Sequence, residues 1–515
     1  MTGRLLLRGG LVADGIGART RPGDVLVDGP VIAAVGTLPA LPAGCDIVDL
    51  APGSVVCPGF IDAHVHAEGP LLTAGRVDGA LAQGVTTLVV GQDGESWIGA
   101  TAATAAYLNE YFAPVNGALA DGQPMSVAQY RQAVSGRLAQ NVAVLASQGT
   151  IRYNVAGSAP GPLTPEQADA ARREVETALA DGAVGLSSGL DYLPSRLGDV
   201  AEIAELARPL AAAGRPYVSH LRGYGRQVEA GLAELVAVGA RAGLRVHASH
   251  LWGDRDGMAA GFAAADAAGV ALSYDSYPYR RSSSILAMLV LPPELQAAGP
   301  ARTLAALADP GQRAALLASD RLSDDFLATV YLATLPAADA RQAGRPVTEA
   351  AALSAQPPGE WVLDLLARAR LNVGAHLDRP ALGDDDLAWL AAGPRQCAGS
   401  DGIYQGQHPH PRGYGAFARL AAGYLRDGPV TGYQQLARHL AGNAADAFGL
   451  RDRGRVAPGL AADLCVIGPS GLADRATYDA PRNPAAGVEL VLVNGVVVYR
   501  DGQPAPGRFP GQLVS

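Results

Sequence analysis

Two histidines close an apolar stretch in Pro58-Gly-Phe-Ile-Asp-Ala-His64-Val-His66. At i, i+2 on a β-strand both imidazoles point to one face. Two neutral imidazoles side by side are half of a divalent metal site. Similar groups end other apolar runs. Val218-Ser-His220-Leu-Arg222 and Val246-His-Ala-Ser-His250 stand one βα unit apart, about 30 residues, so each histidine reaches the same level of adjacent strands. Leu88-Val-Val-Gly-Gln-Asp93-Gly-Glu95 offers a carboxylate that fits a turn or a metal ligand. Ala398-Gly-Ser-Asp401-Gly puts a carboxylate after an apolar strand, the expected place for a general base. One such histidine alone reads as a satisfied polar residue; several at the strand ends of one fold read as a metal centre. His247 falls on the other side of its strand from His250 and reads as structural. Asp275 reads as a hydrogen-bonded core carboxylate. His408-Pro-His410-Pro repeats the His-x-His spacing, but its prolines bar a central strand and predict a loop over the mouth of the site.

Groups scattered so widely converge only if their strands end on one face. Eight runs qualify: Val55–Ile61, Thr86–Gly91, Thr150–Val155, Gly185–Ser188, Pro216–His220, Arg245–His250, Ala271–Tyr277 and Gln396–Ser400. Amphipathic, Ala-rich stretches such as Thr164–Ala180, Asp199–Ala213 and Arg226–Ala242 lie between them. The alternation predicts an α/β chain whose residues 58–445 form a closed, TIM-like (β/α)8 barrel. The interval 281–392 is too long for one helix and predicts a helical insertion able to lid the site. Residues 1–57 and 446–515 carry short β-rich pieces between Gly and Pro turns, and predict one small β-sandwich domain built from both ends.

The chain has 515 residues, 49% hydrophobic and 17% charged, enough apolar material for a large core. A net charge of −9 argues against nucleic acid as a partner. No apolar run reaches membrane-spanning length, and the one near the N-terminus is too short for a secretory signal. Cys45, Cys57, Cys397 and Cys465 are scattered without Cys-x-x-Cys pairing, which predicts a reducing, cytoplasmic setting. The expected partner is a small-molecule substrate, with a homo-oligomer left open. All 40 basic residues are arginine, so neither a Schiff-base lysine nor a carbamylated lysine bridging two metals is available.

Taken together the motifs resemble the amidohydrolase superfamily and, within it, the N-acyl-D-amino-acid deacylases (D-aminoacylases), over nearly the whole chain. The resemblance rests on Pro58–His66, Asp181-Gly-Ala-Val-Gly-Leu-Ser-Ser-Gly-Leu-Asp-Tyr192, His220-Leu-Arg222, Ser249-His250, Asp275-Ser-Tyr-Pro-Tyr279, Gly399-Ser-Asp401-Gly402, His410-Pro-Arg412-Gly-Tyr-Gly415 and Gly454-Arg-Val-Ala-Pro-Gly-Leu-Ala-Ala-Asp463. It implies a zinc hydrolase with one or two ions. His220, His250 and a ligand from the second strand would hold the tighter zinc; His64 and His66 would form a weaker or vestigial position. Asp401 would be general base and then acid, and Tyr192 with Tyr279–Ser284, including Arg281, Ser283 and Ser284, would touch the substrate. Two departures stand out. The family usually carries Gly-Asn-Cys-Gly after the second strand, whereas this chain has Gly91-Gln-Asp93-Gly94; aspartate binds zinc through a harder oxygen, and Asp93 becomes the natural bridge. The family also commonly places a carboxylate-binding lysine where this chain has Trp252. Arg222, Arg280 or Arg281 would then clamp the substrate carboxylate, or the substrate lacks that group and Trp252 stacks on something flat.

The resulting expectation is metal-assisted hydrolysis of N-acyl amino acids, with Tyr192 helping to stabilise the oxyanion. The alternatives are a cyclic-amide, carbamate or lactone hydrolase, a barrel that binds without catalysing, and a metal-free enzyme using the histidines as acid and base.

Overall fold

Gly59 divides the first apolar run between two sheets. Val55–Pro58 pairs with Arg4–Val12 and Leu464–Ile467, while Phe60–Asp62 pairs with Val85–Val90. A Cβ at position 59 would lie 2.3 Å from the Thr86 side chain, so only glycine lets the strands pass. The single strand expected over Val55–Ile61 is therefore two. This computed structural model describes residues 3–17, 19–38, 44–119, 123–297, 299–425 and 432–515.

Both chain ends build one sheet of nine strands, ordered Gln503–Pro504, Val496–Arg500, Val488–Val493, Leu464–Ile467, Val55–Pro58, Arg4–Val12, Arg21–Asp28 and Val31–Gly36, with Cys45–Asp49 added to Arg4–Val12. Leu7, Val25, Val27, Val56, Leu464 and Leu490 pack together within it. The ends are not confined to this sheet. Helix Asn443–Phe448 crosses the expected boundary at 446, and Val142 bonds to Gln512 and Val514 of the C-terminal segment.

Eight further strands run parallel. We label them β1 (Phe60–Asp62), β2 (Val85–Val90), β3 (Asn141–Val144, continued by Ala146–Ser147), β4 (Leu186–Gly189), β5 (Tyr217–His220), β6 (Val246–Ala248), β7 (Leu272–Ser276) and β8 (Gln396–Ala398). Each pairs with the next in sequence. Ala63, just past β1, donates its N–H to Ala398 O of β8 at 3.0 Å. Beyond these ends Val65–His66 pairs with Gly402–Ile403. Pro165–Ala180, Val200–Ala213, Val228–Ala242 and Arg255–Ala267 are the helices that follow β3 to β6. Thr164 and Asp199 cap the first two by accepting from the N–H groups of Gln167 and Glu202.

Two expectations change. Thr150–Val155 reads as a strand by propensity, but Gln148–Ala156 is a helix and the strand is β3. Tertiary bonds decide this: Arg152 donates to Glu202 at 2.9 Å and Thr150 to Ser96 O at 2.7 Å, both inside the packed layer. The insertion at 281–392 is not purely helical. Beside helices such as Pro358–Arg368 it holds an antiparallel sheet of Ser282–Ile285, Gly374–Leu377 and Val330–Thr334. Among the described residues no helix is long and apolar enough to cross a membrane.

Candidate active site

The C-terminal ends of β1, β2, β5, β6 and β8 bring His64, His66, Asp93, His220, His250 and Asp401 together, all buried. Asp93 sits at the centre. Its Oδ1 lies 3.5 Å from His64 Nε2 and 3.5 Å from His250 Nε2; its Oδ2 lies 3.7 Å from His66 Nε2 and 3.7 Å from His220 Nδ1. Asp401 Oδ1 is 3.4 Å from His66 Nε2 and 3.8 Å from His64 Nε2. His220 Nδ1 and His250 Nε2 are 3.0 Å apart. Three of these residues leave ordinary backbone space: Asp93, His250 and Asp401 have φ of 57°, 34° and 49°. Held left-handed, they turn side chains inward that a straight strand would aim elsewhere.

The donor set fits a divalent cation. His64, Asp93 and His250 offer atoms within 4.8 Å of one another, and so do His64, His66 and Asp401. Both ring nitrogens of His64 and Oδ1 of Asp93 are buried without a hydrogen-bond partner. Native interiors rarely leave such atoms unpaired, and imidazole nitrogen with carboxylate oxygen is zinc-binding chemistry.

The electrostatics agree. Burial opposes charge on the imidazoles, yet the surrounding carboxylates, Asp275 and Asp93 beside His64, Asp191 and Asp93 beside His220, raise both to about 9. Burial likewise disfavours the Asp93 anion, but the imidazoles around it bring its carboxyl well below the usual range. Asp401 also falls: burial pushes it up, and Arg412 with His66, His250 and His64 outweighs that. Arg412 Nη1 is 2.7 Å from Asp401 Oδ2 with its nitrogens poorly aligned for hydrogen bonds, so it acts here as a charge.

A cavity of about 440 Å³ opens over the cluster. Tyr192, Trp252, Ser283 and Ser284 line it, with Met288 and Leu289. The buried Tyr192 phenol is held well above its usual range, chiefly by burial, and stays a neutral donor. Trp252 lies parallel to Tyr224 at 6.1 Å, with the Arg379 guanidinium 4.8 Å from its ring.

Two expected substrate contacts lie away from the cavity. Tyr279 is outside the lining; its hydroxyl donates to Asp474 at 2.7 Å. Arg281 is outside it too, stacked over Tyr331 and Tyr478 at 3.6 and 4.1 Å. Arg222 reaches the cavity but its guanidinium is spent on Glu234 and on the carbonyls of Arg196 and Gly198, both at 2.7 Å. Arg280, the remaining clamp candidate, pairs with Asp384 at the surface. The His408–His410 segment is irregular, as its prolines predict, but it lies outside the cavity lining, with His410 buried and accepting from Arg412 N–H at 3.0 Å.

Sequence reasoning passed over Asp191, Tyr224 and Arg412 as site residues. Asp191 Oδ2 is 3.6 Å from His220 Nε2. The Tyr224 ring is 5.0 Å from His220, and its hydroxyl accepts from Leu221 N–H. Asp191 adjoins Tyr192, and Arg412 lies in the His-Pro-Arg motif, so position alone could have flagged both; Tyr224 carried no such signal.

Comparison with known proteins adds an independent line. The model of the amidohydrolase family matches residues 46–499. The N-acyl-D-glutamate deacylase of Alcaligenes xylosoxydans xylosoxydans is 32% identical over 524 residues, covering 98% of this chain and 96% of the relative. The D-aminoacylase of the same organism is 31% identical over 521 residues, covering 99% and 97%. The crystal structure of an N-acyl-D-glutamate deacylase from Bordetella bronchiseptica, complexed with zinc and a phosphonate mimic of the tetrahedral intermediate, superposes with a TM-score of 0.84 at 28% identity and covers 100% of both chains.

Proposed function

This chain belongs to the amidohydrolase family, and from that premise we propose that it hydrolyses the amide bond of N-acyl-D-amino acids. It is a metal-dependent hydrolase. The observation that carries the substrate reading at the site is the gathering of four imidazoles about Asp93, with Asp401 beside them, beneath a cavity of about 440 Å³, small-molecule size. β1 to β8 with the Ala63–Ala398 bond form, in this reading, a closed (β/α)8 barrel. In the same reading the single sheet from both chain ends, curled around its own core of Leu7, Val25, Val56 and Leu464, is the small sandwich domain.

His220, His250 and Asp93 are the residues that would hold the tighter ion, and His64 and His66 a second, with Asp93 shared. A bound divalent ion supplies the Lewis acidity that makes water a competent nucleophile near neutral pH. Asp401, ionised beside Arg412, accepts the proton of the attacking water. Tyr192 donates its phenolic hydrogen bond to the oxygen on which charge develops. Asp401 then returns the proton to the leaving amine nitrogen. The amine side chain would meet Trp252, Met288 and Leu289 of the lining, with Arg222 already bonded, which favours neutral side chains; the other arginines of the lining are Arg196, paired with Asp191, and the exposed Arg321.

Metal quantification on the purified protein, followed by a panel of N-acetyl amino acids of both hands beside cyclic imides, carbamates and lactones, tests this. We expect zinc and turnover of the D-amides. Turnover confined to the cyclic substrates would overturn the assignment.

A further inference from the structure

Behind the cluster lies a buried polar column to which the reaction above gives no part. Asp275 on β7 is fully buried. Its Oδ1 accepts the backbone N–H of His250 at 2.9 Å. Its Oδ2 lies 3.0 Å from His247 Nε2 and 3.5 Å from His64 Nδ1. His247 is equally buried, with Nδ1 2.8 Å from Ser273 Oγ. Ser273 borders a separate cavity of about 400 Å³ at the N-terminal ends of the strands, beside Arg245 and Asp446. A Cβ at Gly399 would come within 2.5 Å of Asp275 Oδ1, so glycine there keeps the carboxylate in place.

The tautomers follow from the partners. An ionised carboxylate only accepts, so His247 must present Nε2–H to Asp275. When His247 is neutral its Nδ1 is then an acceptor, and the Ser273 hydroxyl faces it as donor. His64 Nδ1, 3.5 Å from the same carboxylate and not hydrogen-bonded to it, is held in its field, which favours the proton on Nδ1 and leaves the Nε2 lone pair toward Asp93 and Asp401. We propose that His247 is a positioning residue of the metal centre, acting through Asp275 to fix the tautomer of His64 and the strained backbone of His250. The role rests on the metal-dependent reading above. Residues that orient a ligand in this way typically account for 10- to 100-fold in metal affinity.

The test compares zinc affinity of the wild-type protein with His247→Leu and His247→Gln by competition against a chromophoric chelator, alongside thermal unfolding of the metal-free proteins. His247→Leu is expected to hold zinc roughly 10- to 100-fold more weakly, and His247→Gln, whose amide N–H reaches toward Asp275, to recover part of the loss. Should the leucine variant not fold, Asp275→Asn decides: it keeps the shape but turns an N–H toward the imidazoles, and is expected to lose at least tenfold. Wild-type zinc affinity in a folded His247→Leu or Asp275→Asn, even with a lowered melting temperature, reduces His247 to a packing residue and overturns the proposal. A wild-type protein that binds no divalent metal instead removes the reading on which it rests, a distinct result.

Discussion

In the proposed mechanism Asp401 carries the proton transfers, and its environment makes that role testable. Asp401→Asn should retain its zinc and lose about 10²- to 10⁴-fold in turnover; near-wild-type rates would remove the base assignment. The carboxyl lies below its ordinary range because Arg412 and the imidazoles outweigh burial. The ionised base therefore persists to lower pH than an unassisted aspartate would. Arg412→Met takes away that cation, so the acidic limb of kcat/KM should move to higher pH; a limb that stays, or moves down, excludes Arg412 as the electrostatic partner. At the cavity wall, Trp252→Lys should raise activity on N-acetyl-D-glutamate relative to N-acetyl-D-leucine, and a ratio that does not change argues that this wall does not read the side chain.

At the scale of elements, the site depends on how tightly strand ends approach each other. The turn carrying Asp93 leaves β2 and lies against the end of β4, where a Cβ on Gly189 would fall 2.2 Å from Asp93 O. Gly189→Ala must push that turn away. It should cost about 1–3 kcal/mol in unfolding experiments and lower zinc content together; a variant with wild-type melting temperature and full zinc would contradict this account of the turn. The histidine positions were legible because a period of two and a βα repeat are local signals. The β3 assignment was not, because Thr150–Val155 has strand propensity, and the bonds that make it helical come from Ser96 and Glu202, 54 and 50 residues away in the chain.

On the scale of the whole molecule, Asp463 joins the terminal sheet to the parallel strands. It accepts from Asn494 N–H at 2.7 Å and from Asn141 of β3 at 2.9 Å, and it forms a buried ion pair with Arg453. Arg453→Met strands that carboxylate, so we expect a loss of about 3–5 kcal/mol in thermal or denaturant unfolding with KM unchanged; an unaltered melting temperature would show the pair to be dispensable. Most of the α/β alternation and the strand-end positions of His64, His66, His220 and His250 were legible in the sequence, because hydrophobic period and residue type act locally; the inward aim of Asp93 and Asp401 waited on their left-handed backbones. The structure alone decided which arginines remain available, since Arg222 and Arg281 look free until Glu234 of the next helix closes on one and Tyr331 and Tyr478, from distant segments, stack on the other. It alone also split the first strand at Gly59 and set His247 behind Asp275, because close approach and hydrogen-bond partners exist only once remote pieces of chain are packed together.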